Sequence, residues 1–184
     1  MERKKHASIL RSTRSIHRKT GIILFVAFFA VAITGLMLGW KKKVDVLQHP
    51  TAKGSSKNLS EWLPMDTLVA LAHNEMKARN GADISLELSK VDARPDKGIV
   101  KVIYENHYNS VQLDAVTGEV LSYEFRTSDL VEHLHEGTII DNYFGLPNGI
   151  FKLFYTTVLG MALMTFTITG FWLWYGPKVM RKRN

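Results

Sequence analysis

Two long uncharged runs dominate the hydropathy pattern. Thr20 to Trp40 and Leu153 to Tyr175 contain no Asp, Glu, Lys or Arg. At ~1.5 Å per helical residue, either run crosses a hydrocarbon core of ~30 Å. Trp40 closes the first run, and Trp172, Trp174 and Tyr175 close the second. Amphipathic rings at those points suit the headgroup layer. The pattern predicts two transmembrane helices, over 20–40 and 149–175.

Between the runs the period changes. Residues 41–60, with His49-Pro50 and Gly54-Ser55-Ser56, read as a tether. Ser60 suits the N-cap of a helix starting at Glu61, with Pro64 in its first turn. Leu68, Leu71, Ala72 and Met76 recur at helical spacing until Asn80-Gly81. Alternation follows, with Ile84, Leu86 and Leu88, then Val100, Val102 and Tyr104, then Val111 and Leu113, then Val120 to Phe125. Turns are expected at 94–98, 106–109 and 114–118. One helix followed by an antiparallel β-meander over 61–126 is a small α+β unit. Ser128 to His135 reads as an amphipathic interfacial helix, and 127–148 leads into the second span. The fold class is an α+β membrane protein: two transmembrane helices flanking a small extracytoplasmic domain.

Charge sets the expected orientation. The 184-residue chain has a net charge of +7, but residues 44–151 carry nine Lys/Arg against sixteen Asp/Glu, a net of −7. The excess of basic over acidic residues lies beside the apolar runs, chiefly in the N-terminus (1–19) and the tail (176–184). Nucleic-acid binding is not expected, because it needs a basic domain face. Seven Lys/Arg before the first span outweigh Lys41, Lys42 and Lys43 after it. The positive-inside rule then places both termini in the cytoplasm and residues 41–150 in the periplasm, for a multi-pass protein of the cell inner membrane. Gly39-Trp40-Lys41-Lys42-Lys43 offers no small-x-small cleavage site, so the first span reads as an uncleaved anchor.

Candidate chemistry is sparse. With no cysteine there is no disulfide, thiolate nucleophile or thiolate metal site. Phosphate-binding, dinucleotide-binding and hydrolase motifs are missing. Histidines remain, as imidazole ligates metals and haem iron. His17 sits at the cytoplasmic mouth of the first span, and His133 and His135 lie on the other side. Residues two apart do not share a helical face. Spacing from Leu130 brings His133 closer to the apolar side. Equally open for His17 is a place in a basic cluster holding anionic lipid, and for His133 and His135 plain interfacial polarity. His6, His49, His73 and His107 are expected to be ordinary exposed residues. Gly35 and Gly39 form G-x-x-x-G, either a close-approach helix face and possible dimer surface or the glycine common in membrane helices. Gly160 and Gly170 are the matching candidates in the Thr-rich second span. Ile33-Thr34-Gly35 and Ile168-Thr169-Gly170 echo each other.

The segment from Val91 to Val102, followed by Val-Gln-Leu-Asp-Ala-Val-Thr-Gly-Glu-Val-Leu (111–121), resembles a PepSY domain, whose last hairpin carries a D-x-x-T-G turn matched by Asp114, Thr117 and Gly118. His17-Arg18-Lys19-Thr20-Gly21, Leu134-His135 and Thr169-Gly170-Phe171-Trp172-Leu173-Trp174 resemble the flanks of the PepSY-associated transmembrane family. Larger members, such as siderophore-iron reductases, have four or more helices. The resemblance implies haem b held by histidines such as His17 and His135, and its motif favours His135 where helix spacing favours His133. It also implies an accessory role in envelope iron uptake or redox, as a possible subunit of a membrane reductase and not catalytic alone. His17 and His135 would lie ~30 Å apart across the bilayer, so one haem cannot use both, and a homodimer or larger membrane complex is expected. Two alternatives stand beside this: a module that inhibits or chaperones a periplasmic peptidase or other protein partner, and a structural subunit.

Overall fold

The computed structural model describes residues 2–182; Met1 and, in the basic tail, Arg183 and Asn184 lie outside the described residues. The chain divides into two compact units, one built from residues 1–36 and 132–184 and the other from 37–131.

The first unit is helical. Helix α1 runs over Glu2–Trp40 and helix α5 over Ile150–Lys182. Both contain apolar windows long enough to cross a membrane. The helix in α1 starts well before the uncharged run. Residues 2–19 contain neither Gly nor Pro, so nothing breaks a helix propagated from the apolar segment. The extension packs: Leu10 is buried, and a methyl group on Gly176 would sit 2.8 Å from its Cδ2. Leu10 meets Gly176 and Phe28 meets Phe166, so the two helices run antiparallel. Thr156, Thr165, Thr167 and Thr169 each donate their hydroxyl hydrogen to the carbonyl four residues back. That bond satisfies a polar side chain inside an apolar helix.

A short helical hairpin precedes α5. Helix α3 spans Thr127–Glu136 and helix α4 spans Thr138–Phe144. Gly137 joins them at φ +81°, and a Cβ there would press on Tyr155 at 3.0 Å. The buried Asp141 carboxylate accepts the Phe151 and Lys152 backbone N–H groups at 2.8 and 2.9 Å. It thus caps the first turn of α5 from a distance, satisfying donors that a helix start leaves unpaired.

The second unit is an antiparallel meander covered by one helix. Helix α2 spans Met65–Asn80, with Pro64 at its N-cap. It starts later than Ser60 and Glu61 suggest. Those residues form a 3₁₀ turn, in which Asn58 Oδ1 accepts the Ser60 N–H. A residue before proline avoids the α region, so Leu63 separates the turn from the helix. Strands β1 (Leu88–Arg94), β2 (Ile99–Tyr104), β3 (Asn109–Asp114) and β4 (Val120–Phe125) follow in order β1-β2-β3-β4. The first ladder begins at Leu88 instead of Ile84. Ile84 and Leu86 still pack on the core, but a register shift between Leu88 and Lys90 interrupts the alternation.

Leu68, Ala72 and Met76 of α2 bury against Val100, Val102, Tyr104, Val111 and Leu113. The opposite sheet face is buried too, at Ile99, Ser110 and Gln112. There the tether joins the fold. Gly54 N donates to Lys97 O at 2.8 Å, Ala52 N to Gln112 Oε1 at 3.2 Å, and Ser55 N to Asp114 Oδ2 at 2.7 Å. Asp114 also accepts the Val116 and Thr117 N–H groups at 2.8 and 3.2 Å. The D-x-x-T-G turn therefore folds around its own aspartate and fastens the tether. Gly118, at φ +74°, completes it where a Cβ would lie 2.4 Å from Leu71 Cδ1.

Candidate functional site

His17 and His135 both belong to the helical unit, and each meets a Thr-Gly pair. His17 points from α1 toward α5. Its Nδ1 lies 2.7 Å from Thr169 Oγ1, and its ring packs edge-on against Phe166 at 4.5 Å between centroids. Gly170 faces the same imidazole, with a built Cβ 3.8 Å from His17 Cε1. His135 repeats the arrangement on α1: Nδ1 lies 2.9 Å from Thr34 Oγ1, and a Cβ on Gly35 would stand 3.4 Å from Cε1. Of the two histidines on α3, His135 is the one held against α1. His133 has other interactions.

The position of His135 follows from how α3 ends. Glu136 pairs with Lys152 at the start of α5. The Lys152 hydrogen bond lowers the Glu136 carboxyl from its ordinary value, outweighing the opposite effect of burial. Gly137 packs on Phe151 and Tyr155, and Asp141 caps α5. These contacts tie the end of α3 to α5 while its imidazole reaches α1.

Each threonine hydroxyl stands between a carbonyl of its own helix and an imidazole: Thr34 Oγ1 lies 2.8 Å from Ala30 O, and Thr169 Oγ1 lies 2.6 Å from Thr165 O. A hydroxyl has one hydrogen. With that hydrogen on the carbonyl, the oxygen accepts from Nδ1–H and Nε2 is the bare nitrogen of the neutral ring; with it turned to the histidine, Nδ1 accepts and Nε2 carries the hydrogen. Among the described residues neither Nε2 has a hydrogen-bond partner.

His17 also borders an open depression of about 460 Å³ with Arg18, Gly21, Ile22, Phe25 and Phe166. Its walls are apolar, apart from one imidazole and one guanidinium. Gly21 leaves room for the Phe166 ring, which a Cβ there would meet at 3.2 Å. Such a volume is ordinary for a small-molecule site. The set places one imidazole and one guanidinium beside an apolar surface. Among the described residues no three His, Asp or Glu converge on a metal ion. A porphyrin supplies four ligands itself and asks the protein only for axial ones.

His17 and Thr34 are 17 residues apart on α1, about 26 Å of helix. The two histidines therefore form separate stations. Gly39 and Gly160 face open space, where a methyl group would meet nothing within 4 Å. Three other histidines expected to be exposed, His6, His73 and His107, are half-buried. His73 Nδ1 lies 3.2 Å from the Tyr104 hydroxyl, and the His107 ring lies tilted 5.2 Å from the same ring while bonding Ser85 O. Burial pushes the Tyr104 phenol up to about 12, helped by nearby Tyr123.

Sequence reasoning found both histidines and noticed the Ile-Thr-Gly echo. It missed that each echo receives a histidine, a contact that spans 101 and 152 residues of chain. A family model described as PepSY-associated TM region matches residues 3–183. No curated protein and no solved structure matches the chain.

Proposed function

The chain belongs to the PepSY-associated TM family, and from that premise we propose that it is a haem-bearing accessory subunit of cell-envelope iron uptake or redox metabolism. Its place is the inner membrane, with both termini cytoplasmic and residues 41–150 periplasmic. The observation that carries the reading is the setting of His17: an imidazole with Nε2 unpartnered, beside an apolar depression that Arg18 borders. The alternative of a lipid-facing basic cluster fits less well, because the ring turns to Thr169 and Phe166.

When bound, haem supplies one-electron chemistry. The chain's own residues hold and shield it. His17 and His135 would hold the group through Nε2. Arg18 would offer a cation to a propionate, and Ile22, Phe25 and Phe166 an apolar surface. Each station provides one imidazole, so a second copy or a larger complex would supply any further protein ligand. The electron donor and acceptor are other proteins.

The test is the absorption spectrum of protein purified from haem-replete cells. A Soret band that is lost in His17→Ala supports the reading. A colourless, folded preparation overturns it. A binding-module role has one observation in its favour: β1 and β4 are sheet edges, and edges accept an added strand. Crosslinking from β1 in the native host that recovers no dominant partner removes that alternative.

A further inference from the structure

We infer that Thr34 and Thr169 are positioning residues that set the tautomer of His135 and His17, delivering Nε2 as the ligand atom at two equivalent stations. As far as it concerns haem, the inference rests on the function proposed above; the tautomer itself does not.

The argument begins with a single hydrogen. Thr34 is bonded to the carbonyls of Ala30 and Val31 at 2.8 and 3.2 Å, and Thr169 to those of Thr165 and Phe166 at 2.6 and 3.3 Å. Backward bonding of this kind directs the hydrogen of both hydroxyls along their own helix, as is usual for threonines within a helix. Their lone pairs face outward to Nδ1 of a histidine from another element. A carbonyl cannot donate, so the sense reverses only if the hydroxyl turns its hydrogen from its own helix to Nδ1 and gives up the backward bond. Other threonines of α5, Thr156, Thr165 and Thr167, make the same backward bond. What sets Thr34 and Thr169 apart is the adjoining glycine. With no side chain at Gly35 or Gly170, the ring lies beside the helix with Cε1 over the glycine. Thr-Gly is therefore a two-residue seat: an oxygen that meets Nδ1 and a glycine beside Cε1, where a Cβ would stand in ordinary contact at 3.4 Å on Gly35 and 3.8 Å on Gly170.

The device occurs twice, on α1 for His135 and on α5 for His17. Partners that hold the second nitrogen of a ligating histidine orient the ring and raise its basicity, and their loss weakens metal affinity by ~10–100-fold. Removing the acceptor also makes the imidazole a poorer electron donor, so the ferric state loses support and the reduction potential rises.

Full-length protein in lipid nanodiscs, with ¹⁵N-labelled histidine, tests this in two arms. Before haem is added, the ¹⁵N shifts of His17 and His135 should report hydrogen on Nδ1. Thr169→Val should disturb only His17, and Thr34→Val only His135, while Thr→Ser at either position retains the pattern. Titration with haem b should then show ~10–100-fold weaker binding at the altered station, a higher midpoint potential, and rescue by serine. If wild-type protein takes up no haem yet shows the Nδ1–H pattern, the proposed function fails and the positioning role stands. Valine variants that keep the wild-type tautomers overturn the inference, as does hydrogen found on Nε2 in the wild type.

Discussion

Replacing Asp114 by alanine strands the Ser55, Val116 and Thr117 backbone donors and the Ser55 hydroxyl. Those donors would turn to water, so Asp114→Ala should loosen the turn and the tether and speed amide exchange across 50–56 and 114–119, as hydrogen-exchange mass spectrometry would read. Burial alone would raise the Asp114 carboxyl, but hydrogen bonds from Ser55, Val116 and Thr117 outweigh it and hold the value below the ordinary one. A lowered carboxyl contributes stability above the unfolded value of ~3.9 and loses it as pH falls through the folded value. Acid sensitivity in that low range should therefore flatten in Asp114→Asn. His73 is lowered by burial and by Lys77. Its charged form is disfavoured in the fold, so stability present above the unfolded value of ~6.5 falls as pH drops toward the folded value. His73→Gln should remove that part of the dependence of the melting temperature on pH. The Asp114 turn was legible as a motif, but the partner of its aspartate was not. Ser55 lies 59 residues away, and no local pattern connects them.

Among the elements, the meander was the easiest to read. Strict alternation in β2 and β3 matches two buried faces, and the turns at Gly98 and Gly118 sit where the glycines promised them. Alternation misled at Ile84, because an irregular segment can place side chains on the core without joining the ladder. The extension of α1 over residues 2–19 was hidden by its charges, which suit a solvated tail as well as a helix. The seat of His135 was hidden for a different reason: amphipathic spacing ranks residues by distance from an apolar stripe, whereas α3 is placed by Glu136, Gly137 and Asp141 against α5. These anchors give two predictions. Asp141→Ala removes the cap of α5, worth about 0.5–2 kcal/mol, and should loosen His135 before His17, as resolved ¹⁵N signals would show. Leu68→Ala, at the centre of the α2 contact with the sheet, should cost about 2–5 kcal/mol in denaturant unfolding followed by exchange of the meander amides.

For the whole molecule, the two spans were readable from length and hydropathy, and the family match over residues 3–183 agrees with them. Orientation rests on charge, and the absence of cysteine makes it directly measurable. Single cysteines at Ser12→Cys and Asp45→Cys can be probed in intact cells with a membrane-impermeant maleimide. Labelling at 45 and protection at 12 is expected, and the reverse would overturn the proposed topology.

The Thr-Gly seats also change when the entropy of ligand capture is lost. Immobilising a free side chain on binding costs about 0.5–1.5 kcal/mol. His17 and His135 are already locked by Thr169 and Thr34 when the helices assemble. Little conformational freedom then remains to be lost at either imidazole when a ligand arrives. Affinity at each station is left to depend on desolvation of the apolar walls and on the strength of the axial bond.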